Sequence, residues 1–570
     1  MKILGINFNS HCSACLIVDN ELIYFNQEER LSRLKNDSGI PYLCLEEIKK
    51  IETKIDLLLV TGYNYNINNG FYLLNFLNKS GFNIEGWYGY YKSHHLVHAA
   101  KAVNDSGFDD ALVFVQDGKG SSYMLSNGYE SIETTSIFEY SKDKGFSCVY
   151  KNLFSHYHTA RNLEVGTDIF PIIDHEYEKA YAFPTDRLYE DTKFNISNHF
   201  DLGLLYTITG QCCGFTDDGG KLMGLQSYGT NDSELPDVLF DDYKINMDSF
   251  ILDQSNIYNN EFNYKKYPYL AIEQKKKNFA YKVQKSFEEK QHNLISKYLK
   301  ETGKKNLVMS GGTALNVVGN GKLLSKLDSD INIFIEPVCG DEGNSIGICN
   351  LYLLEDNIKT SFSIYNCGTD PEYNYNLLDF ESEKKVTDQD IAELIAKGAI
   401  VSYFHGKGEA GPRALGNRSL LFNPSIIDGK DIVNQVKGRE SFRPFACSIL
   451  EEHAKNWFDF KGQNSSPYMM FALECNKDVE KIIPSVIHVD GTCRVQTVNI
   501  EQNKNYYNLI NEFYKITNIP LLFNTSFNLA GDPIVHTVQD ALESIRNSKI
   551  EYLYLPEINT LIHSENLYEN

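Results

Sequence analysis

The stretch "KILGINFNSHCSACLIVDNELIYFNQEER", residues 2–30, sets the fold class. Its runs "KILGINFN" and "SACLIVD" are short, apolar and β-branched, a polar loop joins them, and a turn at Asn20 leads into "ELIYFNQEER". That pattern predicts strand, loop, strand, turn, strand. The same grammar returns at 111–131, "ALVFVQDGKGSSYMLSNGYES", with a Gly-rich loop opened by Asp117 and an Asn-Gly turn before the next run. Two copies of one nucleotide-cradling hairpin are implied.

Working outward, "IDLLLVTGY" (55–63) reads as a buried strand and "HHLVHAAKAV" (94–103) as a helix with a small-residue face. A long helix is predicted over 273–303, ending near Gly303, because Phe279, Val283, Phe287, Leu294, Ile295 and Leu299 follow three-to-four spacing. A strand, "NLVMSGGTALN", follows, and "NIFIEPVCGDEGNSIGICNLYLL" repeats strand, Gly-rich loop and helix up to about residue 355. This alternation predicts an α/β fold with a first domain over 1–355. Residues 356–385 are polar and lack a period, so they read as a linker. A second domain is expected over 386–570; it opens with Thr387 as helix N-cap, a Gly past the helix, and the strand "AIVSYF".

The chain has 570 residues and a formal net charge of -22. That acidity argues against nucleic acid and anionic membrane as partners, since both need a basic face. No run reaches the roughly 18 apolar residues a membrane span requires. The N-terminal run is broken by Asn7, Asn9 and His11 and reads as a strand, not a signal peptide. Twelve scattered cysteines do not form a dense disulfide framework, so a reducing cytoplasm is expected. Cys12 and Cys15 have CxxC spacing, but on a strand residues three apart face opposite ways and no second such pair exists.

Against that acidity, residues 405–443 hold seven Lys or Arg and four Asp or Glu, a net of +3. The loop "HGKGEAGPRALGNRSLL" (405–421) sets Lys407, Arg413 and Arg418 among glycines, and Arg439 and Arg443 follow in "GRESFRPF". Arginine forks grip phosphate and carboxylate, and glycines let backbone N–H groups approach an anion, so an anion site is expected. His94 and His98, four apart on a helix, share one face and could ligate one metal. Asp117 and Asp341 lie on strand-end loops, where open α/β sheets hold ligands, and would extend that set toward iron, manganese or zinc. The loops "SGGTALN" (310–316) and "GDEGNSIG" (340–347) each join a strand to a helix as phosphate-cradling turns do.

These blocks together resemble one family. "EERLSRLKNDSGIP", "HHLVHAA", "VFVQDGKG", "MGLQSYG", "MSGGTALN", "GDEGNSIG", "GPRALGNRS", "RESFRPFA", "DGTCRVQ" and "FNTSFN" occur in the order found in ATP-dependent O-carbamoyltransferases of the nodulation-factor, cephamycin and tobramycin type. The resemblance implies a duplicated N-terminal domain of actin and Hsp70 type (ASKHA) and a C-terminal α+β domain akin to threonylcarbamoyladenylate synthases (YrdC-like). It implies a cytoplasmic transferase that makes carbamoyladenylate from carbamoyl phosphate and ATP in the C-terminal domain. The N-terminal domain then passes the carbamoyl group to a hydroxyl of a small acceptor: an antibiotic, sugar, nucleoside or toxin precursor. Alternatives are a hydroxymethylated pyrimidine, as nucleotide or DNA base, and a non-catalytic nucleotide-binding relative. A homodimer is left open.

Carried over by position, the resemblance assigns Lys407, Arg413, Arg418, Arg439, Arg443, Arg494 and Asn524 to carbamoyl phosphate and ATP. Asp117, Gly203, Thr207, Gly312 and Asn316 would hold the adenylate, and Lys35 and His94 the acceptor. His94, His98, Asp117 and Asp341 would hold Fe2+ or another divalent transition metal, with Mg2+ accompanying ATP. Relatives carry His-Asp before the second strand, whereas "NFNSHCSA" puts Ser10 at the aligned His position and His11 one place on; His11 is taken as the base. Ala530 stands where relatives often have Arg. Acceptor choice is expected in loops within 64–92 and 130–200.

Overall fold

The computed structural model describes all residues except 9, 63–66, 90–93, 127, 129, 156–187, 190–191, 198–200, 216–218, 236, 239–267, 374, 376–381 and 565–570. Much of the expected acceptor loop 130–200 and part of the expected linker therefore lie outside the described residues. By contacts the chain divides into Met1–Ile23 with Ser38–Phe362, and Tyr24–Asp37 with Ser363–Asn570.

The first unit repeats one sheet pattern, the third strand of which continues past Ile23 into the segment grouped with the second unit. β1 (Lys2–Asn7), β2 (Ser13–Val18), β3 (Glu21–Gln27), β4 (Lys54–Thr61) and β5 (Asn83–Gly89) form a sheet in the order β3-β2-β1-β4-β5. β1 runs antiparallel to β2 and parallel to β4, which is parallel to β5. The second sheet contains β6 (Asp110–Gln116), β7 (Ser122–Met124), β8 (Glu130–Ser141), β9 (Gly145–Ser155), β10 (Lys193–Ser197), β11 (Asn306–Ser310) and β12 (Asn332–Ile335). Its order is β10-β9-β8-β6-β11-β12, with β7 paired to β8. β6 is antiparallel to β8 and parallel to β11, and β11 is parallel to β12. Strand for strand, β9-β8-β6-β11-β12 reproduces the first sheet's order and polarity, so the repeated hairpin grammar marks a duplicated α/β unit.

Two helices join the halves. α1 (His94–Ser106) packs on β6 and β11, and α5 (Asn344–Leu354) packs on β1 and on α1. Between them in sequence lie α2 (Leu202–Cys212), α3 (Glu273–Thr302) and α4 (Val317–Lys326). α5 is buried from Asn344 to Leu351, as a helix apolar nearly all round must be. Its approach to α1 depends on Gly347, where a Cβ would lie 2.6 Å from the Val97 carbonyl. α3 ends at Gly303 in the left-handed region, φ 70°, as the sequence predicts.

The second unit holds a ten-stranded sheet: β13 (Ser382–Lys385), β14 (Val401–Phe404), β15 (Arg418–Phe422), β16 (Ala446–Leu450), β17 (Phe458–Asp459), β18 (Ala472–Cys475), β19 (Thr492–Val498), β20 (Leu521–Ser526), β21 (Tyr552–Leu555) and β22 (Thr560–His563). The order is β13-β22-β21-β14-β15-β20-β16-β19-β18-β17. α6 (Asp388–Ala396) starts at Thr387 in a reciprocal capping box with Asp390, as expected. α7 (Gly429–Lys437) and α8 (Val538–Arg546) follow, and α8 buries Val538, Leu542 and Ile545 against Phe404, Leu420 and Leu553.

The unit boundary differs from the expected linker in two ways. Residues 363–373 fold with the second unit, where Cys367 and Gly408 exchange backbone hydrogen bonds at 3.0 Å. Residues 24–37 also belong there: Arg30 donates to the Gly411 carbonyl at 2.7 Å, and Arg33 to those of Ile534 (2.7 Å) and Pro533 (3.0 Å). Local periodicity carries no mark of such a return, because the partners lie hundreds of residues away. Among the described residues there is no disulfide, and no helix is long and apolar enough to cross a membrane.

Candidate active site

His94 and His98 sit one turn apart at the buried start of α1. Asp117 follows β6 directly, and Asp341 lies in the loop between β12 and α5. The topology brings these three element ends to one point. His94 Nε2 lies 3.3 Å from Asp117 Oδ2 and 3.2 Å from Asp341 Oδ1; His98 Nε2 lies 3.6 and 3.4 Å from the same atoms. The two Nε2 atoms are 3.3 Å apart, and all four ligand atoms fall within 4.8 Å of one another. A metal bonded to N and O ligands at about 2.1 Å has tetrahedral edges of about 3.4 Å, so donor set and spacing fit a divalent transition ion.

The electrostatics agree. Burial alone would push the His94 imidazolium pKa down, but the Asp341 and Asp117 carboxylates outweigh it and push it up to about 10. His98 is raised against the same burial by the same two carboxylates. Both carboxyls are held below their ordinary range, burial being overcome by the two imidazoles. The cluster therefore concentrates two anionic ligands beside two basic ones, as a cation site does.

Further groups fix these ligands. Asp117 Oδ1 accepts from the backbone of Gly118 at 2.7 Å and of Gly312 at 3.2 Å, leaving Oδ2 to the histidines. Gly203 lets the start of α2 meet this turn, since a Cβ there would stand 2.4 Å from the Asp117 carbonyl. Asp117, Gly203 and Gly312 are thus brought together. Thr207 is exposed and donates to the Gly203 carbonyl of its own helix at 3.2 Å, while Asn316 caps α4 through Gly319 N and donates to Gln284 at 3.0 Å. His11 has φ 45°; Asn7 Nδ2 holds its turn by donating to the carbonyls of Ser10 (3.1 Å) and His11 (3.2 Å). The His11 ring faces the buried Glu342 carboxylate at 3.6 Å, one residue from Asp341. Lys35 is exposed and lies in the segment that belongs to the second unit.

The second unit gathers charge of one sign. Arg494 on β19 and Asn524 on β20 both stand in register with Ala446 on β16. Burial, then repulsion from Arg413, Arg439 and Arg443, holds the Arg494 guanidinium well below its ordinary pKa. Lys437 shows the same pattern, with burial first and then Arg439 and Arg443. Lys437 Nζ donates to the carbonyls of Ser526 and Asn528, the latter at 2.9 Å, and Arg439 reaches Ser526 Oγ at 3.5 Å. Lys437, Ser526 and Asn528 were not singled out from the sequence; Lys437 was one cation among seven.

Two expectations for the basic loop are corrected. Arg418 is turned into the protein and not toward an open anion site: 1% exposed, it stacks on Phe404 and donates to the carbonyls of His405, Asn417, Gly406 and His536. Nor do the loop's backbone N–H groups all await a phosphate. Those of Leu415 (2.8 Å), Asn417 (3.4 Å) and Arg418 (3.2 Å) go to Oε1 of the fully buried Glu409, so the loop carries its own anion. Asn524, likewise buried, holds the Ala414 carbonyl at 3.1 Å, which sets the loop beside Arg413. Lys407 donates to Asn366 at 3.0 Å.

Comparison with known proteins identifies the family. The family model "Carbamoyltransferase N-terminus" matches residues 88–349, which contain all four metal-type ligands, and "Carbamoyltransferase C-terminus" matches 392–561, which contain the arginines. Nodulation protein NolO of Bradyrhizobium diazoefficiens is 30% identical over 486 residues, 81% of this chain and 77% of that protein. Nodulation protein NolNO of Sinorhizobium fredii is 28% identical over 587 residues, 95% of this chain and 77% of that one. Full-length HypF in its phosphate- and nucleotide-bound form aligns over 62% of this chain and 55% of that one at 16% identity, with a TM-score of 0.36. The chain belongs to the carbamoyltransferase family. It is an enzyme that transfers a carbamoyl group to an acceptor.

Proposed function

We propose that the chain couples two reactions, carbamoyladenylate formation in the second unit and O-carbamoylation of a small hydroxylated acceptor in the first. The observation that supports the first step most is the convergence of Arg413, Arg439, Arg443 and Arg494. Four guanidiniums that repel one another are stabilised by a polyanion, and carbamoyl phosphate with ATP supplies several phosphate groups. One water is consumed: it releases phosphate from carbamoyl phosphate to leave carbamate, a carbamate oxygen then bonds to the ATP α-phosphorus as the α–β phosphoanhydride bond breaks, and carbamoyladenylate and pyrophosphate result. The arginines would take up the charge that develops on the leaving groups.

In the first unit, Asp117, His94, His98 and Asp341 would hold a divalent metal. When bound, such an ion supplies Lewis-acid polarisation of the carbamoyl carbonyl. Gly203 and Gly312, packed against Asp117, support a place for the adenylate beside it. His11, turned toward Glu342, takes the proton of the acceptor hydroxyl as the new C–O bond forms. AMP leaves with the electron pair of the broken acyl–phosphate bond.

The test is incubation with carbamoyl phosphate, ATP and Mg2+, followed by pyrophosphate release, with and without acceptors. Pyrophosphate release from wild type, and carbamate ester on a small hydroxylated metabolite, are expected. Absence of nucleotide-dependent pyrophosphate release would sink the two-step reading, and product on hydroxymethylated DNA alone would replace the small acceptor.

A further inference from the structure

Behind the metal-type cluster lies a second, fully buried polar group that the reaction does not use. Glu133, on β8, is 1% exposed, and its carboxylate serves both segments that carry ligands. Oε1 accepts from the backbone N–H of His95 at 3.2 Å, in the first turn of α1, and from that of Ser121 at 2.9 Å, in the loop that begins at Asp117. Ser121 closes the link: its Oγ accepts from the backbone N–H of His94 at 3.1 Å. The backbones of Gly120 and Ser121 also pair with Glu133, N to O at 2.8 Å and O to N at 3.0 Å. Packing on Glu133 is tight, because a Cβ on Gly120 would come within 2.5 Å of its Cγ.

The other carboxylate oxygen is met by Lys151 from β9, also 1% exposed, which donates as well to Ser136 Oγ at 2.9 Å. Ser136 Oγ in turn lies 2.8 Å from His95 Nδ1. One buried carboxylate thus caps the start of α1, ties down the Asp117 loop and is charge-balanced from a third strand. A helix start has unsatisfied N–H groups, and a carboxylate is their favoured partner.

We infer that Glu133, neutralised by Lys151, is a positioning residue that fixes the spacing between His94 on α1 and Asp117 on its loop, and so sets the affinity of the metal site. The inference rests on His94, His98, Asp117 and Asp341 being a metal site. It extends that reading to residues that touch no ligand atom. Outer partners of this kind typically change metal affinity by about 10- to 100-fold.

The test uses the full chain and Co2+, read by titration calorimetry and by the visible d–d spectrum, with thermal melting as the folding control. Two double variants remove the buried charges equally, Glu133→Gln with Lys151→Met and Glu133→Ala with Lys151→Met. The Gln form keeps a side-chain oxygen for His95 and Ser121, and the Ala form offers none. The Gln form should bind Co2+ nearly as wild type does; the Ala form should lose about 10- to 100-fold and show an altered spectrum. Ser121→Ala, which leaves every charge in place, should weaken binding by roughly three- to tenfold. It serves if the Ala double variant does not fold. Equal Co2+ affinity and spectra across folded variants and wild type overturn the clamp, whereas failure of wild type itself to bind Co2+ overturns the metal reading beneath it.

Discussion

The two sites solve opposite electrostatic problems. In the first unit, two imidazoles and two carboxylates meet at 3.2–3.6 Å, so the group is nearly balanced before anything binds. In the second, Arg494 is surrounded by Arg413, Arg439 and Arg443, and Lys437 is buried beside two of them. The difference teaches which site depends on its ligand for stability. A balanced cluster can be pre-formed by its own charges; a cluster of like charge needs scaffolding that fixes it against repulsion, and under the proposed function an anion would complete it. Lys437, Asn524 and Glu409 supply that scaffolding through the Ser526, Asn528 and Ala414 carbonyls and three backbone N–H groups.

The sharpest way to break this contrast is to remove one member of each site. Arg443→Ala should lower pyrophosphate release by at least about 100-fold, on the order of 3 kcal/mol of transition-state stabilisation, and leave Co2+ binding untouched. His94→Ala should abolish Co2+ binding and carbamoyl transfer while sparing pyrophosphate release. If both variants lose both activities in folded protein, the division of labour is wrong. A milder form uses binding alone: millimolar inorganic phosphate should raise the melting temperature of wild type by linkage, about 2.7 kcal/mol at a hundred times Kd, and the gain should shrink in Arg443→Ala.

Next in size comes the loop's own anion. Glu409→Ala leaves the N–H groups of Leu415, Asn417 and Arg418 buried without their acceptor, which should cost roughly 2–4 kcal/mol in chemical denaturation. Arg418→Met should also destabilise by a few kcal/mol, because four backbone carbonyls each lose a hydrogen bond from the guanidinium. In the folded fraction, however, KM for carbamoyl phosphate should hold. A large rise in KM with unchanged stability would return Arg418 to the anion site.

Much of this was legible in the sequence, and the pattern of misses is physical. The duplicated hairpins showed because strand alternation and turn residues are local signals. The His94/His98 pair showed because helical spacing alone puts both rings on one face, and Asp117 and Asp341 because strand ends open onto ligand sites. Arg418 was misread because sign and neighbourhood say that an arginine seeks electron-rich partners, without saying whether these are phosphates or the chain's own carbonyls. Glu409 carried a readable clue, a lone carboxylate inside a glycine loop. The Glu133–Lys151 pair had none, since its partners become neighbours only through β8–β9 pairing. The same holds for residues 24–37, whose place depends on partners near 411 and 534.

The smallest effects test that last point. Two helices of the second unit begin with the same capping box, Thr387 with Asp390 on α6 and Thr537 with Asp540 on α8. Thr387→Ala removes one side-chain cap at the surface and should cost about 1 kcal/mol, with neither site affected. Asp540 does more. It accepts from the backbone N–H of His536 at 3.0 Å and of Thr537 at 2.8 Å, and its other oxygen lies 3.7 Å from Arg33 Nε. Asp540→Ala should therefore cost roughly 2 kcal/mol and loosen residues 24–37, which limited proteolysis would report as faster cleavage near Lys35. Equal cleavage rates for the two cap variants would mean that the carbonyl contacts of Arg30 and Arg33 hold this segment in the second unit without Asp540.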